Sequence, residues 1–234
     1  MTDKGVQGVH GGAGAAGVER DPEVPGRLLA VERDALVPLL RGRADSDFEI
    51  LTEACPEWTV RDVLAHCASV LSRVVESRYE KGVFSPSANQ RDIEALSQLS
   101  PQGIVDELER GMSEAGPIIA KAGGILDGIG LGEWVHAGDV REALGEPGAY
   151  GGAGLPDALT LLAQISREKG KVALHADLDD RDEPVLLGEP DGQRPPARFL
   201  GDAPTLVRLY SGRSVRGAEF ELVGVTAGEL NIYA

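Results

Sequence analysis

TEACPEWTVRDVLAH, residues 52–66, is the stretch on which the reading of this chain turns. Thr59 can accept a hydrogen bond from the backbone three residues on, where Asp62 can return one, the arrangement of a capping box. Trp58 and Val63 stand at the two positions of a hydrophobic staple across the same helix start. The spacing therefore predicts a helix from Val60 to about Glu80. Its apolar face is Val60, Val63, Leu64, Cys67, Val70, Leu71 and Val74. His66 falls on the flank of that face, ~100° from its centre at 3.6 residues per turn.

Upstream, Leu28, Leu29, Val31, Leu36, Leu39 and Leu40 recur at helical spacing from near Pro25 to about Arg43. Residues 1–24 carry GVHGGAGAAG and no apolar period, and read as a flexible tail with His10 solvated in it. These glycines follow no strand and precede no Gly-Lys-Ser/Thr, so they are not a phosphate loop. Downstream, a third helix is expected from Pro101 to about Lys121, with Pro117 breaking or kinking it. A fourth is expected from about Leu131 to Leu144, closed by Gly145 and Pro147. Four amphipathic helices over residues 25–146 suggest an antiparallel bundle.

Beyond them the grammar changes. EPGAYGGAG, residues 146–154, is turn-rich and reads as a linker. A helix follows over about Leu155 to Lys169. KVALHADLD then alternates as a strand, with Val172, Leu174 and Ala176 on one face and His175 on the other. VLLGE and ARFLG are short strand candidates. APTLVRLYSG reads as a helix ending at Gly212, and FELVGV and ELNIYA as closing strands. Residues 155–234 thus form a small α+β domain, and the fold class of the whole is α+β.

The formal net charge of −15 argues against a nucleic-acid backbone as partner, which needs clustered Lys and Arg. No apolar run approaches the length of a membrane span, and no basic region leads into an apolar core at the N-terminus. A cytoplasmic protein is expected. Cys55 and Cys67 are too few for a disulfide scaffold and read as core or loop thiols. Cys67 points into the apolar face, although a catalytic thiol or fourth metal ligand there stays open.

The chemistry concentrates in EWVH, residues 133–136. Glu133 and His136 are three apart on a helix and share a face with Ile129, Val140 and Leu144. A carboxylate turned inward is costly unless paired or metal-bound, and helical bundles build metal sites from inward Glu and His side chains. His66 can reach across to supply a third ligand. Asp62 lies one turn before His66, and Asp139 three residues after His136. Either could hold the second nitrogen of an imidazole.

LTEACPEWTVRDVLAH and GEWVHAGDVREALG resemble the two signatures of the mycothiol-dependent maleylpyruvate isomerase family, within the DinB-like metal-binding superfamily. The first is matched at Thr52, Cys55, Pro56, Trp58, Thr59, Val60, Arg61, Asp62 and His66. The second is matched at Glu133, His136, Asp139, Arg141, Ala143, Leu144 and Gly145. NQRDIEALSQLSP, residues 89–101, resembles the stretch between the signatures. The C-terminal part is similar to the family's sterol-carrier-like domain. One departure is visible: the isomerase's Glu stands four residues before its His, where this chain has Gly132 and places Glu133 three before.

The resemblance implies a DinB-like four-helix bundle whose metal ligands are His66, Glu133 and His136. Two imidazoles, one carboxylate and an open position suit zinc, and two His with a carboxylate also suit iron. It further implies mycothiol, a low-molecular-weight thiol, as co-substrate. The metal would lower the thiol's pKa, and the thiolate would add to a small electrophile, giving transfer or isomerisation. Asp139 is expected to be catalytic through His136. Arg213 is expected to hold a substrate carboxylate, with Arg208 as its rival. The alternative is a non-catalytic metal-binding sensor or scaffold of the same fold.

Overall fold

The computed structural model describes residues 20–78 and 85–233. Its elements are α1 (Val24–Arg41), a 3-10 turn (Asp45–Glu49), α2 (Val60–Val75), α3 (Pro86–Ala95), α4 (Pro101–Glu114), α5 (Gly116–Lys121), α6 (Asp127–Ala143) and α7 (Leu155–Glu168). There follow β1 (Leu174–Leu178), β2 (Val185–Leu187), β3 (Ala197–Gly201), α8 (Ala203–Ser211), β4 (Phe220–Val223) and α9 (Ala227–Leu230). Helices dominate the first part and a small mixed sheet the second.

The capping box at the start of α2 is present. Thr59 Oγ1 accepts from the Asp62 amide at 3.2 Å, and Asp62 Oδ2 accepts from the Thr59 amide at 2.9 Å. Asp62 is thereby spent on the cap, which corrects the expectation that it could brace an imidazole. At its other end α2 stops at Val75, short of Glu80. Ser77 takes a left-handed φ of 54°, and the Arg78 amide bonds back to the Arg73 carbonyl at 2.9 Å, a Schellman-type closure. Residues 79–84, like residues 1–19 and the tail expectation that falls on them, lie outside the described residues.

α1, α2, α4 and α6 pack on one another around Leu29, Leu36, Leu40, Val63, Leu64, Leu71, Leu108 and Val140, all essentially buried. Burial at this scale is worth ~25 cal/mol per Å² of apolar surface and is what holds the helices together. Two helices exceed the four expected. One is α5, which Pro117 separates from α4 as the sequence indicates. The other is α3, which carries no apolar stripe: only Ala88 and Asp92 are buried on it. It is started by Ser85, which caps the Ala88 amide, and by Pro86 in the first turn.

α6 begins at Asp127, a turn earlier than expected. Asp127 is fully buried there, bound by Arg20 through two 2.7 Å bonds. The sheet order is β2-β1-β3-β4, with β1 and β3 parallel and the outer pairs antiparallel. Leu174, Ala176 and Leu178 face the core and His175 faces out, as the alternation predicted. ELNIYA is not a strand. Thr226 and Glu229 form a second capping box that nucleates α9, and Ile232 then bonds to the Tyr210 carbonyl at 2.8 Å.

The turns of residues 146–154 are pinned rather than loose. Tyr150 is fully buried, and its ring fills the space left by Gly138, where a Cβ would lie 2.4 Å from Tyr150 Cδ1. Leu28, Leu131, Trp134 and Val135 from the helices share one core cluster with Leu159, Leu162, Phe199 and Leu206. No helix among the described residues is long and apolar enough to cross a membrane.

Candidate functional site

His66 on α2 and His136 on α6 face each other, their ring centroids 5.5 Å apart and nearly perpendicular at 81°. Two imidazoles on one tetrahedral zinc, with Zn–N of ~2.0–2.1 Å, hold their centroids ~5 Å apart. Trp58 leans over both, 5.3 Å from His66 and 6.5 Å from His136.

Each imidazole is backed by an arginine-bound carboxylate. His136 Nδ1 lies 3.0 Å from Asp139 Oδ2, the partner its i, i+3 spacing suggested. Asp139 is in turn held by Arg213, through Nε at 3.1 Å and NH2 at 2.7 Å, and by the Tyr150 hydroxyl, which donates at 2.7 Å. His66 Nδ1 faces Asp92 Oδ2 at 3.5 Å, long for a hydrogen bond, and Asp92 is paired with Arg73. Asp92 thus stands where Asp62 was expected. Its only sequence signal was the NQRDIEALSQLSP resemblance, because α3 shows no apolar period.

Burial pushes His136 below its ordinary pKa, against the pull of Asp139. Burial alone would raise Asp139, but the bonds from His136 and Arg213 outweigh it and hold the carboxyl well below the usual carboxylate range. Glu133 is the reverse case. It is 4% exposed, and leucines and valines line the space beside it. Burial pushes its carboxyl up to about 8, with the Cys67 thiol and Arg73 pulling only part of the way back.

Two side-chain atoms at this spot, Glu133 Oε2 and His66 Nδ1, are buried without a hydrogen-bond partner. A buried carboxyl oxygen without a partner, close to two facing imidazoles, is a donor set that a divalent ion would satisfy. Among the described residues, the set of three donor groups within 4.8 Å of one another is Cys55, His136 and Asp139. His66 and Glu133 flank the same imidazole without converging as tightly.

Arg213 reaches Asp139 because Gly212 ends α8 with φ of 70° and the Arg213 amide bonds back to the Arg208 carbonyl at 2.8 Å. Its remaining nitrogen donates to the Ser211 carbonyl at 2.7 Å. The guanidinium is therefore committed within the chain to Asp139 and the Ser211 carbonyl. Arg208 is committed too: it bonds Glu142 at 2.6 Å and lies 4.5 Å above the Tyr150 ring. Cys67 is buried as expected, whereas Cys55 belongs to the site and sequence reasoning left it in a loop. No periodic signal could have found it, because Cys55 precedes the helix.

Residues 29–116 match the family model described as mycothiol maleylpyruvate isomerase N-terminal domain. The crystal structure of the mycothiol-dependent maleylpyruvate isomerase is similar over 89% of this chain and 96% of that chain, with a TM-score of 0.54 and 15% identity. The crystal structure of a histidine-to-alanine mutant of that isomerase is similar over the same shares, at 15% identity and a TM-score of 0.53. No curated protein matches the chain. The family match covers the first of the two signatures, while the second, residues 132–145, lies beyond it; the mixed helix-and-sheet fold is met by the solved structures.

Proposed function

We propose, from the family match over residues 29–116 and the paired imidazoles beside it, that the chain is a divalent-metal-dependent enzyme using mycothiol on a small electrophile. The outcome is transfer of the thiol or, if it later leaves, isomerisation. His66, Glu133 and His136 would hold the ion, with zinc favoured by this donor set. When bound, the ion supplies the Lewis acidity that makes a thiol a thiolate near neutral pH. In fold terms the reading takes residues 25–146 as a DinB-like four-helix bundle and residues 155–234 as a sterol-carrier-like domain. A cytoplasmic protein with neither nucleic-acid nor membrane partners completes it.

The chain's own groups have defined tasks. Asp139 accepts from His136 Nδ1, which fixes the tautomer and presents Nε2 to the ligand side. Asp92 faces His66 Nδ1 at 3.5 Å and supplies a nearby negative charge rather than a hydrogen bond. Arg73 and Arg213 keep these two carboxylates charged and still. Trp58 covers both imidazoles and limits water around them. Arg213 is a positioning residue for Asp139.

The observation that carries the reading is the buried Glu133 with its Oε2 unpartnered, near two facing imidazoles that each have an arginine-bound aspartate beside them. Elemental analysis of protein purified without chelator should find about one divalent ion per chain. His66→Ala and His136→Ala should each lose it. Conjugation of mycothiol to a generic electrophile should stop on chelation and return with zinc. Stoichiometric metal in both variants, or conjugation indifferent to chelator, overturns the proposal.

A further inference from the structure

Along α6 from Leu131 to Val140, every residue is buried except Gly132 and His136. The two stand four apart and therefore lie one above the other on the same face. A helical side chain leans toward the N-terminus and covers the turn before its own Cα, so the His136 imidazole lies over the turn that holds Gly132. That strip is where α6 opens the site to solvent.

The end of the chain sets a phenol over this strip. The Tyr233 hydroxyl lies 3.7 Å from where a Cβ on Gly132 would stand, an ordinary contact distance. The centre of its ring is 6.0 Å from the guanidinium carbon of Arg213, and Arg213 NH2 comes within 3.5 Å of His136 Nδ1. Phenol, guanidinium and imidazole therefore converge on one spot. The segment that carries the ring is anchored. Leu230 and Ile232 are buried, and the Ile232 amide donates to the Tyr210 carbonyl at 2.8 Å. The Tyr233 amide donates to Asn231 Oδ1 at 2.9 Å. The Asn231 side chain lies against Gly212, where a Cβ would stand 2.5 Å from its Nδ2. The turn that aims Arg213 at Asp139 thus also seats the segment bearing Tyr233.

Tyr233 is half-exposed, and among the described residues its hydroxyl has no hydrogen-bond partner. Arg213 beneath it is bound to Asp139 and to the Ser211 carbonyl. We propose that Tyr233 contacts the substrate, its hydroxyl donating to a carbonyl oxygen of the electrophile, so that the site selects electrophiles carrying one. The inference rests on the thiol-transfer reading above and adds a residue from the far end of the chain. When a thiolate adds to a carbon conjugated with that carbonyl, a sulfur–carbon bond forms and the carbon–carbon π pair shifts, leaving the charge on oxygen. The Tyr233 hydroxyl holds that oxygen and keeps its own proton, and the carbon next to the carbonyl takes its proton from solvent. A donor placed where charge develops lowers the barrier for such substrates alone.

The test uses the zinc-loaded full chain, mycothiol and two probes: methyl vinyl ketone, which has a carbonyl, and iodoethane, which has no oxygen. Tyr233→Phe keeps the ring and removes the donor. Its kcat/KM should fall for methyl vinyl ketone by roughly tenfold or more beyond any fall for iodoethane, with zinc content and melting temperature those of the parent. Equal falls on both probes, no fall on either, or loss of zinc in the variant overturns the Tyr233 role and leaves the thiol-transfer reading standing. A parent that conjugates iodoethane alone overturns the Tyr233 role as well. A parent that conjugates neither probe overturns both.

Discussion

Tyr150→Phe tests the network behind His136 with the least disturbance, because it keeps the buried ring and removes one oxygen. The hydroxyl donates to Asp139 Oδ1 at 2.7 Å, and its next polar neighbour, Glu142, is 3.4 Å away. A hydrogen bond to a charged, desolvated acceptor is worth ~1.5–3 kcal/mol. Asp139 keeps its two bonds from Arg213, so the lower half of that range applies, about 1.5–2 kcal/mol. For a chain of this length each kcal/mol moves the melting temperature by ~2–4 °C. The variant should therefore melt ~3–8 °C below the parent by circular dichroism, with its chemical-denaturation midpoint lowered and slope unchanged. His136 keeps its 3.0 Å contact with Asp139, so the metal content should stay near that of the parent. An unchanged melting temperature would mean that Tyr150 contributes packing alone. Loss of the ion from a folded variant would mean that Tyr150, not Asp139, sets the imidazole.

Asp139→Asn leaves the buried Arg213 guanidinium without its counter-charge and should cost ~3 kcal/mol or more, with the turnover per bound ion falling ten- to a hundredfold; equal turnover per ion would rule out positioning. In metal-free protein Glu133 has its folded pKa raised from 4.5 to about 8, so stability is full below about 4.5 and falls as pH rises through 8, by up to ~5 kcal/mol at 1.36 kcal/mol per pH unit. Glu133→Gln should flatten that slope in pH-dependent melting curves, and a slope persisting in the variant refutes the assignment. Thr59→Ala removes one limb of the capping box and should lower denaturant stability by ~1 kcal/mol while sparing metal affinity. A selective loss of metal would show that Thr59 has another role.

What was legible in the residues was what runs along one helix. Thr59 with Asp62, the apolar face through Cys67, the break at Pro117 and the His136–Asp139 spacing are all local, within one turn or one period. What escaped depends on where separate segments meet. α3 is polar along its length and is held by its cap and by Asp92, so no amphipathic stripe announced it. Asp62 offered two uses, cap and brace, and local geometry gave it to the cap because Thr59 is three residues away. Arg213 reads as a free cation in Ser-Gly-Arg, yet the turn at Gly212 aims it at a carboxylate 74 residues earlier. Thr226 and Glu229 override the alternation of ELNIYA, since the Thr226 amide and hydroxyl both donate to Glu229 Oε2 at 2.8 Å and favour a helix start there.

The aspartate behind His136 is gripped by Arg213 and Tyr150, which belong to the chain after α6, and Leu28, Trp134 and the sheet residues share one apolar cluster. The two parts of the molecule therefore cannot be traded independently in descent. A lineage that exchanged the later part for an unrelated one would strand Asp139 with a single neighbour and expose Trp134. To keep the imidazole aimed, the incoming segment would have to bring an arginine and a phenol to the same two spots. Divergence is easiest away from that seam, on the outward residues of β1 and β4, where no such debt exists.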